Sequence, residues 1–198
     1  MAEILEDGFG TGSKAKIRDG RVFVNSRSEV AEAVSATDGK AFIVSARCRT
    51  AGATSGVFMS IQNNDPENDM KITRIYIYPQ TLTDSTLLCS QVFDATIAGG
   101  TDVSSTAIIN KNRGNSTTFD LTVKVSDASA DATYTGGVEY HCFPLLSRSQ
   151  NDRNMNGTNI LPSGKSITFG WSLEGGGTAT DDQIVYFAVN IIKTPKNV

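Results

Sequence analysis

Hydrophobic and polar residues alternate along much of the chain. In FDLTVKV, Phe119, Leu121, Val123 and Val125 fall on one side of an extended backbone and Asp120, Thr122 and Lys124 on the other, the period-two signature of a half-buried strand. ITFGWSL repeats the pattern through Ile167, Phe169, Trp171 and Leu173, and GVFMSIQ through Val57, Met59 and Ile61. In IVYFAVNII the run Ile184 to Phe187 has no polar side, which predicts a strand covered on both faces. Further strands are predicted at GRVFV, KAFIVSAR, TRIYIYP, TLLCSQVF, TAIIN and VEYHCFPL. Each large apolar side chain fully buried contributes about 1.5–3 kcal/mol, so the inward rows are the main stabilising term. One stretch competes as a helix, SRSEVAEAVSATDG, with Ser28 placed to cap it, Val30, Ala33 and Val34 on one face and Gly39 at its end. A weaker helical option lies around Leu87 and Leu88.

Strands bounded by Gly and Asn turns, without intervening helices, predict an all-β fold: an antiparallel β-sandwich with jelly-roll-like topology. A chain of 198 residues fits one such domain, and no internal repeat points to a solenoid or propeller. The sandwich is expected over residues 41–198. Residues 1–40 differ: they are Gly-rich and mixed in charge, with Phe9, Ile17, Val22, Phe23 and Val24 too sparse to build a core. Two readings fit this extended N-terminal segment. It is an arm that orders against a neighbouring subunit, with those five residues as candidate assembly contacts, or it is an ordinary first strand and loop of the same domain.

A formal charge of −3 and a pI of about 5.2 supply no broad basic field, so no nucleic-acid partner is expected. No window approaches the ~18–20 apolar residues that span a bilayer, and MAEILEDGFG lacks the basic start and apolar centre of a secretory signal. The expectation is no membrane association and synthesis in a reducing cytoplasm. Cys48, Cys89 and Cys142 cannot all pair within the chain and are expected as small buried residues.

Asp65, Glu67 and Asp69 in IQNNDPENDM have the spacing that opens a calcium loop, but the sixth position is Met70 instead of Gly and the twelfth is Tyr76 instead of Glu. A solvated turn built on Asn64 and Pro66 is expected there, and the same reading applies to Asp181 and Asp182 after EGGGTAT. The single histidine, His141, adjoins Cys142; neighbours on a strand face opposite ways, so the two cannot serve as base and nucleophile for each other. One His and dispersed cysteines make no zinc site. DGFGTG has neither a preceding strand nor a following Lys-Ser/Thr pair and is expected as a mobile lead-in. No cofactor, metal or catalytic residue is expected, because no spacing singles out a pair among Asp65, Glu67, Asp69, Asp120, Asp181 and Asp182. Among aromatics, Trp171 shares the inward row with Phe169 and Leu173, which leaves Tyr76, Tyr78 and Tyr134 as candidate exposed platforms.

GFGTGSKAKIRDGRVFVNSRSEVAEAVSATDGKAFIV, the passage IQNNDPENDMKITRIYIY, the middle INKNRGNST and the C-terminal VYFAVNIIK, in that order, resemble a group of tailed-bacteriophage virion structural proteins of the head-decoration or minor-structural type. The resemblance implies a non-enzymatic β-sandwich located on the virion. It implies attachment to the major capsid protein or another virion protein as a homo-oligomer, a trimer by preference, and carries over no catalytic residues. The competing expectation is a carbohydrate- or receptor-binding module of a tail or fibre; a glycan hydrolase ranks third.

Overall fold

The computed structural model describes residues 4–6, 14–18, 21–23, 31–50, 55–82, 87–127, 130–146, 148–174 and 183–196. The chain forms two compact units, Met1–Ala31 and Glu32–Val198. In the first, β1 (Ile4–Glu6), β2 (Lys14–Arg18) and β3 (Arg21–Phe23) make a three-stranded antiparallel sheet in that order, with Ile4 opposite Lys16 and Ile17 opposite Val22. Ile17, Val22 and Phe23 therefore lie on strands, whereas Phe9, Val24 and DGFGTG fall outside the described residues.

Helix α1 (Ala31–Thr37) forms where the helical spacing predicts it. Gly39, at φ +71°, follows it in a conformation that favours glycine. Four strands follow: β4 (Ala41–Thr50), β5 (Ser55–Asn63), β6 (Asn68–Thr81) and β7 (Leu87–Phe93). An insertion then carries β8 (Thr96–Gly99), β9 (Thr101–Asp102), α2 (Ser104–Ala107), β10 (Ile108–Asn110), β11 (Leu121–Val125) and β12 (Ala132–Thr135). Strands β13 (Val138–Leu145), β14 (Asn151–Leu161), β15 (Ser166–Leu173) and β16 (Gln183–Pro195) complete the unit. The weak helical option at Leu87 is strand β7, and TAIIN divides between α2 and β10.

One sheet has the order β10-β4-β16-β6-β14; the other runs β13-β7-β15-β5-β11-β9, with β12 and β8 attached through β5. Taken without the insertion, the strands alternate between sheets except at β7 and β13, which pair with each other, so that β4-β16-β6-β14 faces β5-β15-β7-β13. This is a jelly roll, two interlocked Greek keys. The insertion lengthens both sheets on the same side, β10 pairing with β4 and β11 with β5. It closes that side with Phe119 against Phe42 at 5.6 Å between ring centroids and leaves only short strands at the edge.

The inward rows meet between the sheets. Phe187 on β16 lies 5.0 Å from Phe169 and 5.6 Å from Phe58, and Phe58 lies 6.1 Å from Trp171, tilted contacts that add to the area these rings bury. Phe58 reaches this cluster through a bulge: Phe169 pairs with Met59 but Gly170 with Val57. Phe119, Leu121, Val123, Ile167, Phe169 and Trp171 are all buried, as the alternation requires. Strand β16 departs from expectation. Val185, Phe187 and Val189 are buried, but Tyr186 between them is 39% exposed, so this half of the strand is covered on one face only, whereas Asn190, Ile191 and Ile192 are all buried.

Asp65 also differs from the solvated turn expected of it. The chain crosses from one sheet to the other between β5 and β6, and this corner is bonded through its side chains. Asn63 Nδ2 donates to the Asn68 and Leu161 carbonyls while its Oδ1 accepts from the Asp65 amide. Asp65 Oδ1 accepts from the Glu67 and Asn68 amides and from Asn68 Nδ2, and its Oδ2 lies 2.8 Å from Lys193 Nζ. The residue is 6% exposed, and protein donors occupy both of its carboxylate oxygens. Pro66 and Glu67 stay in solvent.

Burial works against the charge on Asp65, but the hydrogen bonds from Lys193, Asn68 and the Glu67 amide outweigh it and hold the carboxyl below its ordinary value. A depressed folded-state value stabilises the fold above the unfolded value of ~3.9 and loses that contribution as pH falls through the folded one. Asp65→Asn is expected to cost about 1.5–3 kcal/mol at neutral pH. Its deficit against wild type should shrink on acidification; urea unfolding at neutral and acid pH measures both, and equal stabilities at neutral pH would contradict the corner's role. In the core, Leu121→Ala is expected to cost about 2–5 kcal/mol in the same assay, and a loss below about 0.5 kcal/mol would place that row in solvent.

Candidate interaction face

Because β16 turns Val185, Phe187 and Val189 inward, it presents Ile184, Tyr186 and Ala188 on the outer face of the five-stranded sheet. Register then aligns side chains across strands. Arg47 on β4, Tyr186 on β16 and Tyr78 on β6 form one row, and Ser45, Ala188, Tyr76 and Asp152 form the next. Tyr78 is 42% exposed, and Arg47 is open to solvent. Small Ser45 and Ala188 lie beside Arg47 and Tyr186, and Tyr76 beside Tyr78.

Tyr76 is half-buried under Arg74, whose guanidinium carbon lies 4.8 Å from the ring centroid. Arg74 is gripped at both ends of its fork by Asp152, Nε to Oδ1 at 2.8 Å and Nη2 to Oδ2. These hydrogen bonds lower the Asp152 carboxyl. Tyr134 is also not a platform: its ring carbons come within 2.9 Å of where a Cβ on Gly170 would stand, so the ring packs on the other sheet at a position only glycine provides. Of the three candidate aromatics Tyr78 alone is open. Sequence reasoning missed Tyr186, which sits inside an apolar run; its pairing with Tyr78 is a property of register. It also missed Tyr140, exposed on β13 and edge-on to Phe93.

His141, Cys48 and Cys89 are engaged in packing. His141 on edge strand β13 accepts a hydrogen bond at Nε2 from Arg153 Nη1 at 2.6 Å, and the same guanidinium lies 4.1 Å over the Phe143 ring. Burial pushes the Cys48 and Cys89 thiols far above their ordinary range. Cys142 corrects the expectation that all three cysteines are buried: it faces away from His141 and is exposed. Partial desolvation and nearby Glu139 raise its thiol too. Among the described residues no three His, Cys, Asp or Glu side chains are grouped to hold a metal; Asp181 and Asp182 fall outside those residues. No helix among the described residues is long and apolar enough to cross a membrane.

No protein-family model, curated protein or solved structure matches the chain.

The cysteine environments predict selective labelling. A maleimide should modify one thiol per native chain, Cys142, and all three after denaturation, as read by mass spectrometry. Prompt native labelling of Cys48 or Cys89 would contradict the buried assignment.

Proposed function

We propose that the protein is a non-enzymatic structural component of a tailed-bacteriophage virion. In this reading it is a decoration or cement protein that attaches to the major capsid protein or another virion protein. The observation that carries the reading is the row Arg47, Tyr186 and Tyr78, a solvent-facing strip aligned by strand register. Exposed tyrosine and arginine are among the side chains that most often anchor protein interfaces. Jelly rolls recur in viral capsid proteins, and equally in lectins and cupins, so fold supports the reading by analogy alone. The resemblance of the sequence to virion structural proteins adds to it.

Attachment as a homotrimer fits the same scheme. A closed ring avoids open-ended association, and several modest contacts on a repeating shell give avidity without new chemistry. The N-terminal unit, with Ile17, Val22 and Phe23 on its strands, is the second contact in this proposal.

The test uses full-length protein and particles stripped of this subunit. Tyr78→Ala with Tyr186→Ala should leave the circular dichroism spectrum and melting temperature unchanged while weakening attachment about tenfold or more, the equivalent of one anchor residue at ~1.4 kcal/mol. Light scattering should give a trimer mass for the wild type. Undiminished attachment by the double variant would remove the tyrosine row from the mechanism, and a monomer that never joins a particle would overturn the virion reading.

A further inference from the structure

The outer face of the second sheet carries a polar groove that the assembly scheme does not use. Its floor is set by register. Ser166 on β15, Gln62 on β5 and Thr122 on β11 lie in one row, and Thr168, Ser60 and Lys124 in the next. All six point away from the core, because their neighbours Ile61, Val123, Ile167 and Phe169 are buried in it. Asp94 to Ile97, leading from β7 into β8, forms one wall, and the Gly164–Lys165 turn forms the lip. The open groove has a volume of about 390 Å³, at the lower end of the ~300–1,000 Å³ typical of ligand sites.

An ordinary solvent face leaves its hydroxyls open. Here Ser60 and Ser166 line the groove and are each more than nine-tenths buried. Ser60 Oγ and Thr168 Oγ1 lie 3.0 Å apart; their mutual bond uses one of two hydroxyl hydrogens and leaves the other available. Thr122 accepts from Asn64 Nδ2, so its own hydrogen is also free to donate. The Gln62 amide and the Lys124 ammonium add further donors.

The groove therefore offers hydroxyl and amide groups that both donate and accept, while its carboxylate is largely committed. Asp94, held at φ +57°, is already committed, Oδ2 to Lys165 Nζ at 2.9 Å and Oδ1 to the Ser166 amide. Asp102, opposite Lys124 in register, commits Oδ1 to the Ser104 amide and hydroxyl. Lys124 and Lys165 against Asp94 leave one positive charge in the lining, with the Asp102 carboxylate outside the lining but close enough to Lys124 to interact with its charge. Ala95 and Ile97 give the wall a short apolar strip.

These features match a polyhydroxylated ring bearing an anionic group: oxygens for the hydroxyl and amide donors, C–H edges for the strip, and a carboxylate for Lys124. We propose that the groove binds an acidic saccharide of the uronic acid type, with its carboxylate at Lys124 and its hydroxyls on Ser60, Gln62, Thr122 and Ser166. The site is independent of the tyrosine face and stands whether or not that face mediates assembly.

The test is a titration of the ¹⁵N-labelled full-length chain with sodium glucuronate, followed by amide chemical shifts, with glucose and sodium sulfate in parallel. Glucuronate should give saturable shifts centred on residues 60–62, 94–97, 122–124 and 164–166. Glucose should bind about tenfold or more weakly, as should glucuronate to Lys124→Gln, because each arm loses the charge-assisted bond. Gln62→Ala, at an exposed position, is the second variant and should also weaken binding. Three outcomes would overturn the proposal: no saturable shifts with glucuronate, an equal response to sulfate, or unchanged affinity in both variants.

Discussion

Phe187 sits on the central strand of the five-stranded sheet and meets Phe58 and Phe169 from the opposite sheet. That contact fixes the parity of β16. With Val185, Phe187 and Val189 inward, Tyr186 has only the outer face available, and pairing on both sides of β16 extends the same parity to Arg47 and Tyr78. A one-residue slip would bury Tyr186 and expose Phe187, exchanging core for surface along the whole strand. The core and the outer tyrosine row are thus one constraint seen from two sides.

The second sheet obeys the same rule with a different outcome. Its inward residues are large, and its outward ones at Ser60, Ser166, Thr168 and Gly170 are small. Small outward residues let other segments approach the sheet, so Tyr134 packs on Gly170 and the chain from Asp94 to Ile97 walls a groove. The sandwich consequently offers two unlike surfaces: one with the exposed row Arg47, Tyr186 and Tyr78, and one with a walled groove lined with hydroxyls. Two corners hold these faces in place. Asp65 ties the crossing between the sheets to Lys193 on β16, and the insertion closes one open side with Phe119 on Phe42.

Much of the fold was legible from alternation alone. FDLTVKV and ITFGWSL identify their buried rows by period two, Trp171 is placed in the core by its neighbours, and the scarcity of helical spacing leaves a sandwich as the economical answer. What remained hidden depends on non-local pairing. Tyr186 reads as interior within IVYFAVNII, because nothing in that run says that the sheet is uncovered on one side. Asp65 reads as a turn carboxylate, because Lys193 lies 128 positions further along in the sequence and only the strand order brings it to 2.8 Å. The groove donors come from three strands, and no local motif marks them.

Hydroxyl-radical footprinting of the free and particle-attached protein tests the proposed role of the tyrosine row most directly, since it reads solvent access at individual rings without mutation. The account predicts that Tyr78 and Tyr186 lose reactivity on attachment while Tyr140, on the far edge strand, keeps it. Unchanged reactivity at Tyr78 and Tyr186, with protection at Tyr140 instead, would contradict it.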